Sequence, residues 1–227
     1  LRLIVQFAGL FLMFIEWNLY SLPWYFFVIA LVLSAGVLNA FNFMDGINGI
    51  TGVYSTAVLI AFWFVNRQVS FTDNRLIYIV LISLVVFNFF NFRTKAKCFA
   101  GDVGSITIAV IIVFLLGQLI IKTGNFSYFV FLAVYGVDTV LTILHRIKLK
   151  ENIFEPHRKH LFQLLANELK IHHLQVSALY AILQLIIALG LLYFPHYGNL
   201  YLIVVVLLLS GIYLYVKGKI YHLHKQN

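Results

Sequence analysis

Eight apolar runs of 15 to 19 residues occupy most of this 227-residue chain and limit its fold more than any other feature. They are Leu3–Trp17, Leu22–Leu38, Ile50–Val65, Leu76–Phe92, Ser105–Ile121, Phe126–Leu144, Val176–Phe194 and Leu200–Val216. Each approaches the roughly 20 residues that a helix needs to cross a bilayer. The runs predict an all-α, polytopic integral membrane bundle of about eight transmembrane helices, with residues 1–227 as a single domain. Composition agrees, since only 11% of residues are charged and 62% are hydrophobic, whereas a soluble domain carries about 25% charged residues.

The formal net charge of +8 would suit nucleic acid if it formed one basic surface, but its distribution follows the spans instead. With Leu1 on the cytoplasmic side and eight alternating crossings, 13 of the 16 Lys and Arg residues fall inside. Only Arg67, Arg75 and Lys122 fall outside, which is the asymmetry that orients membrane proteins. The charge therefore reads as topology and as attraction to anionic headgroups and phosphates, with the lipid bilayer as partner and no nucleic acid. The same alternation gathers three polar segments, 39–49, 93–104 and 145–175, on the cytoplasmic face.

The first segment reads Asn-Ala-Phe-Asn-Phe-Met-Asp-Gly-Ile-Asn-Gly-Ile-Thr-Gly over residues 39–52. Asn42, Asp45 and Asn48 recur every three residues, so a helical turn would put them on one face. Gly46, Gly49 and Gly52 leave backbone uncovered beside them, which suits close approach to a phosphate or sugar. A tight Asp-Gly turn between two membrane helices is the plainer reading of the same residues.

The second segment ends in Gly101-Asp102-Val103-Gly104-Ser105 at the mouth of a span. Asp102 is the best metal-ligand candidate, an acid between glycines near backbone amides that favour anions. A helix cap, with Ser105 beside it, is the alternative. The third segment holds His157, Arg158 and His160 directly after Pro156, offering a guanidinium fork and two imidazoles to a phosphate. No acid or cysteine pattern completes a four-ligand zinc site around them. Asp138 lies inside the sixth run, where an ionisable group is either functional or a buried acid bonded to Thr139, Thr142 or a neighbouring helix.

Taken together, Asn39-x-x-Asn42-x-x-Asp45-Gly46, then Gly101-Asp102-Val103-Gly104-Ser105, then the His/Arg loop resemble the polyprenyl-phosphate N-acetylhexosamine-1-phosphate transferases. That family includes the phospho-muramoyl-pentapeptide translocases. The resemblance implies a multi-pass enzyme of the inner (plasma) membrane with a cytoplasmic active site. It would transfer a sugar 1-phosphate from a UDP-sugar to a polyprenyl (undecaprenyl) phosphate with Mg²⁺, or Mn²⁺ in its place, releasing UMP. It further implies that Asp102 ligates the metal and that Phe99 stacks on uracil. Asn42, Asp45 and His157 are implied as catalytic groups, with Asn48, Arg158 and His160 as further substrate contacts. A homodimer is compatible with it. The form of the third segment looks closer to the branch that starts O-antigen or capsule-type glycans, with lipopolysaccharide as the implied pathway, than to the peptidoglycan branch.

Three departures are visible. Asn48 stands where many members have aspartate, and His-Leu-Phe-Gln over residues 160–163 replaces the His-x-His-His of some branches. The paired aspartates expected upstream of Leu3 are absent, and Leu1 is not methionine, so the chain reads as an N-terminally truncated fragment expected to be inactive alone. Direct attack by the lipid phosphate on the UDP-sugar β-phosphorus is the expected chemistry, with a covalent aspartyl intermediate as its rival. Outside the family, a CDP-alcohol phosphotransferase would need Asp-Gly-x-x-Ala-Arg, whereas Asp45-Gly46 leads into Ile47-Asn48-Gly49. A transporter or flippase subunit would use Asp138 and would place polar groups at mid-membrane.

Overall fold

The computed structural model describes residues 2–152, 155 and 158–224, and its described residues form nine α-helices joined by short loops and 3₁₀ turns. In chain order these are α1 (Arg2–Glu16), α2 (Trp24–Met44), α3 (Ile50–Val69), α4 (Asn74–Asn91), α5 (Gly101–Thr123), α6 (Ala133–Lys148), α7 (Leu161–Asn167), α8 (His173–Tyr193) and α9 (Gly198–His224). Seven helical stretches are long and apolar enough to span a membrane, so the chain is a polytopic membrane helix bundle. About eight spans are expected from the sequence, and the seven stretches, preceded by the shorter apolar helix α1, agree with such a bundle.

The sixth run is not a plain helix. It opens as a 3₁₀ segment, Phe126–Leu132, and becomes α-helical only at Ala133. A change of helix type frees backbone groups, which must find partners at membrane depth. Gln184 of α8, fully buried, supplies them. Its Nε2 donates to the Val130 carbonyl at 2.9 Å, and its Oε1 accepts from the Val134 N–H at 3.1 Å and from the Tyr54 hydroxyl at 2.8 Å. Tyr54 stacks on Tyr135 with ring centroids 3.5 Å apart, and the Tyr135 hydroxyl donates to the Ile50 carbonyl at 3.1 Å. The chain of contacts runs from α8 through α6 to the first residue of α3.

Helix α3 is the axis of the bundle. It packs between α8 and α4, and two-thirds of its most apolar window is buried inside the protein. Asn88 of α4 bonds across to the neighbouring helix, its Nδ2 donating to Thr56 Oγ1 of α3 at 3.1 Å. Outward faces of α2, α4 and α9 carry exposed Leu, Ile, Val and Phe side chains, as lipid contact requires. With α3 central, the α2–α3 turn, the α4–α5 loop and the α6–α7 connection emerge at the same end of the bundle.

Candidate active site

The site is assembled where those three connections touch. Helix α2 stops at Met44, and Asp45–Gly49 turn the chain into α3. Gly49 has φ +86°, in the left-handed region that glycine tolerates, and a Cβ there would stand 2.4 Å from the Phe92 ring. Its N–H donates to Asn91 Oδ1 at 2.8 Å. From the other end of the same carboxamide, Asn91 Nδ2 donates to the Cys98 carbonyl at 2.7 Å. One buried side chain thus joins the Asp45 turn to the α4–α5 loop.

Asn48 tightens the same junction. Its Nδ2 donates to the carbonyls of Arg93 and Thr94 at 3.0 and 3.1 Å, while its own carbonyl accepts from Ser177 Oγ at 2.9 Å. The carboxamide expected to touch substrate has its donor directed at the protein's own loop. That loop ends at Phe99, whose ring is 72% exposed and lies directly before the start of α5.

Asp45 and Asp102 come together across these elements. Asp45 Oδ1 accepts from Thr51 Oγ1 at 2.6 Å, and the Gly101 backbone N–H also bonds its carboxylate. Burial pushes the Asp45 carboxyl up from its ordinary value; the Thr51 and Gly101 hydrogen bonds oppose this, and the nearby Asp102 charge adds to the rise. Asp102 sits in the first turn of α5 with its side chain exposed. The cap position of α5 is Ala100, two residues before Asp102. Asn42 joins from α2: its Oδ1 lies 3.2 Å from Ser105 Oγ, which donates to the Gly101 carbonyl at 2.8 Å. Asn42 and Asp45 therefore share one end of the bundle with Asp102, which lies 60 residues beyond Asn42 in the chain.

The third segment is placed in part. His157 lies outside the described residues. Arg158 is exposed. His160, expected to present its imidazole to a phosphate, is instead 1% exposed, with Nδ1 3.3 Å from Asp138 Oδ1. Its position follows from the docking of α7, whose Phe162 ring is fully buried and would lie 3.0 Å from a Cβ on Gly46. Asp138 is the buried acid bonded to Thr142 and to neighbouring elements, with no hydrogen bond to Thr139. Arg146, 2% exposed, bonds Glu151 at 3.3 Å and the carbonyls of Asn152 and Glu155, and Glu151 also pairs with Lys159. These contacts fold the α6–α7 connection back onto the bundle.

Sequence reasoning missed Asn91 as the clamp, Thr51 as the partner of Asp45, and Gln163. Gln163 Oε1 accepts from the His160 N–H at 3.3 Å, and its Nε2 would lie 3.2 Å from a Cβ on Gly46. The one available signal was Gln163 standing where some branches of the resembled family have histidine.

The fold and the two acids at one end of the bundle define a multi-pass membrane protein with a polar loop site. Residues 2–121 match glycosyl transferase family 4, and the chain belongs to that family. It is 33% identical over 129 residues to a phospho-N-acetylmuramoyl-pentapeptide-transferase of Thermotoga neapolitana, covering 56% of this chain and 40% of that protein. It is 29% identical over 174 residues to a probable undecaprenyl-phosphate N-acetylglucosaminyl 1-phosphate transferase of Bacillus subtilis, covering 72% and 47% respectively. The chain thus spans less than half the length of these curated relatives. No solved structure matches it.

Proposed function

We propose that this chain forms part of a membrane transferase that moves a sugar 1-phosphate, of the N-acetylhexosamine type, from a UDP-sugar to a polyprenyl phosphate. UMP is the second product. The observation that carries the reading is the convergence of Asp45 and Asp102 on one end of the bundle, each from a different polar segment. Two like charges near each other, one of them partly buried, repel each other and call for a cation. Mg²⁺ fits this donor set, because it is commonly held by one or two carboxylates, substrate phosphate oxygens and waters.

Asp102 and Asp45 would hold the ion, and when bound it would neutralise the diphosphate of the donor. The remaining work falls to this chain's own groups. Asn91 and Asn48 fix the loop that presents Phe99, whose exposed ring offers a stacking face for a base. Thr51 orients the Asp45 carboxylate, and Ser105 does the same for Asn42. Arg158 supplies a cation for phosphate oxygens. Phosphoryl transfer depends mainly on such positioning and charge stabilisation, and the direct displacement needs no covalent enzyme group.

The relatives' names favour undecaprenyl phosphate as acceptor, and the initiating step of lipid-linked cell-surface glycan synthesis as the role. The longer overlap with the N-acetylglucosaminyl 1-phosphate transferase supports a simple UDP-sugar of the O-antigen or capsule type. The Thermotoga match supports the peptidoglycan-type donor as the second reading. Protein made from the complete reading frame, incubated with Mg²⁺, undecaprenyl phosphate and a panel of UDP-sugars, is expected to release UMP with one of them. UMP release with none, in protein shown to be folded, would refute the reading.

A further inference from the structure

Asp138 sits in the middle of a membrane helix, yet it is surrounded by donors from its own helix and from two other parts of the chain, the start of α7 and α8. Oδ1 accepts from the Leu161 N–H at 3.0 Å and lies 3.3 Å from His160 Nδ1 and 3.2 Å from Thr142 Oγ1. Oδ2 accepts from the Tyr180 hydroxyl at 2.8 Å and from the Phe162 N–H at 3.4 Å. Two of these donors are the first backbone amides of α7, which no residue within a helix can satisfy. A carboxylate of α6 therefore helps cap α7 by accepting its first two amides, beside the capping box that His160 and Gln163 form at the same helix start. The His160 ring stands against the same carboxylate, with Nδ1 3.3 Å from Oδ1.

The opposite side of α7 rests on the site. The Phe162 ring and the Gln163 carboxamide press against Gly46, the residue after Asp45. The helix is a wedge between a buried acid and the turn that holds the acidic pair. Asp138 lies ten residues before Lys148, the end of α6, which at 1.5 Å per residue is about 15 Å below that end. The wedge is thus pulled down into the bundle instead of lying on its surface. Arg158 enters this segment two residues ahead of His160.

We propose that Asp138 is a positioning residue. By helping to cap α7 and holding His160, it seats residues 158–163 against the Asp45–Gly46 turn and so sets where Arg158 and Gln163 stand relative to Asp45 and Asp102. The catalytic part of this proposal rests on the transferase reading given above. The docking part does not.

The test compares wild type with Asp138→Asn and Asp138→Glu in protein from the complete reading frame. Hydrogen exchange of the Leu161 and Phe162 amides reads docking without any reaction. Losing a charged acceptor for two amides is expected to speed their exchange at least about tenfold, while amides of α3 stay protected and report that the bundle is folded. In transfer assays below the unfolding temperature, Asp138→Asn is expected to lower kcat at least about tenfold. KM for the UDP-sugar should remain within about twofold, with partial rescue in Asp138→Glu. A purely structural acid would lower the melting temperature and leave kcat of the folded fraction unchanged, and that result overturns the positioning role. Unchanged exchange at Leu161 and Phe162 overturns the docking. If wild type itself transfers no sugar phosphate while exchange responds as expected, the transferase reading fails and the docking stands.

Discussion

Removing the Asn91 carboxamide tests whether the site is one assembly or three loops that happen to lie near each other. In Asn91→Ala the Gly49 N–H and the Cys98 carbonyl both lose their partner, in a place where the side chain is only 5% exposed. Each orphaned buried group costs about 1–3 kcal/mol, and water reaching the end of the bundle holds the sum near the lower end, at about 2–3 kcal/mol. For a chain of this size about 1 kcal/mol shifts the melting temperature by roughly 2–4 °C, so a fall of about 4–10 °C is expected. The functional effect should exceed the stability effect. Cys98 directly precedes Phe99, and Gly49 closes the turn begun by Asp45, so one substitution loosens both the aromatic platform and the acidic pair. Uridine nucleotide binding, measured by calorimetry below the unfolding temperature, is expected to weaken at least about tenfold. Asn91→Asp keeps the bond from Gly49 but turns an oxygen toward the Cys98 carbonyl, and should retain the turn while losing the platform. A melting shift under about 1 °C together with unchanged nucleotide affinity would refute the idea that Asn91 joins the two loops.

Three further outcomes follow from the same geometry. Asp45→Asn removes a carboxyl whose folded-state value is raised by burial and by Asp102. Without divalent ions, wild type should therefore gain stability as pH falls from the raised value toward the ordinary carboxylate value. The variant should lack that contribution and melt higher near neutral pH, and thermal melts across pH in chelator check both. Gln184→Leu strands the Val130 carbonyl, the Val134 N–H and the Tyr54 hydroxyl; helix-to-helix hydrogen bonds in membranes average about 0.6 kcal/mol each. About 2 kcal/mol of destabilisation is expected, read by denaturant titration in micelles. Gly49→Ala adds a Cβ 2.4 Å from the Phe92 ring at a left-handed φ. It should abolish transfer while leaving helix content, measured by circular dichroism, nearly intact.

Much of the architecture was legible because lipid imposes a simple code. A run of apolar residues near span length becomes a helix, so Trp24–Met44, Ile50–Val69 and the later spans follow from hydropathy alone. Alternation of those spans was enough to bring Asn42, Asp45 and Asp102 to one face. The code fails where two conformations have equal hydropathy. Phe126–Leu132 is as apolar as the helix that follows, and only the partner provided by Gln184, 50 residues beyond Val134, makes the 3₁₀ turn tolerable. Gln184 itself looks like an isolated polar residue in a Leu and Ile run. The role of Asn91 depends on loops reaching it from both directions, and the burial of His160 depends on Asp138, 22 residues earlier. Neither pairing leaves a local pattern.

The most direct measurement is Mn²⁺ binding, followed by electron paramagnetic resonance, to protein from the complete reading frame with a UDP-sugar present. Wild type should hold the ion in a nucleotide-dependent manner, and Asp45→Asn and Asp102→Asn should each weaken it at least about tenfold, as expected when one of only two carboxylate ligands is removed. Equal Mn²⁺ affinity in wild type and in both variants would contradict a shared ion between those two acids.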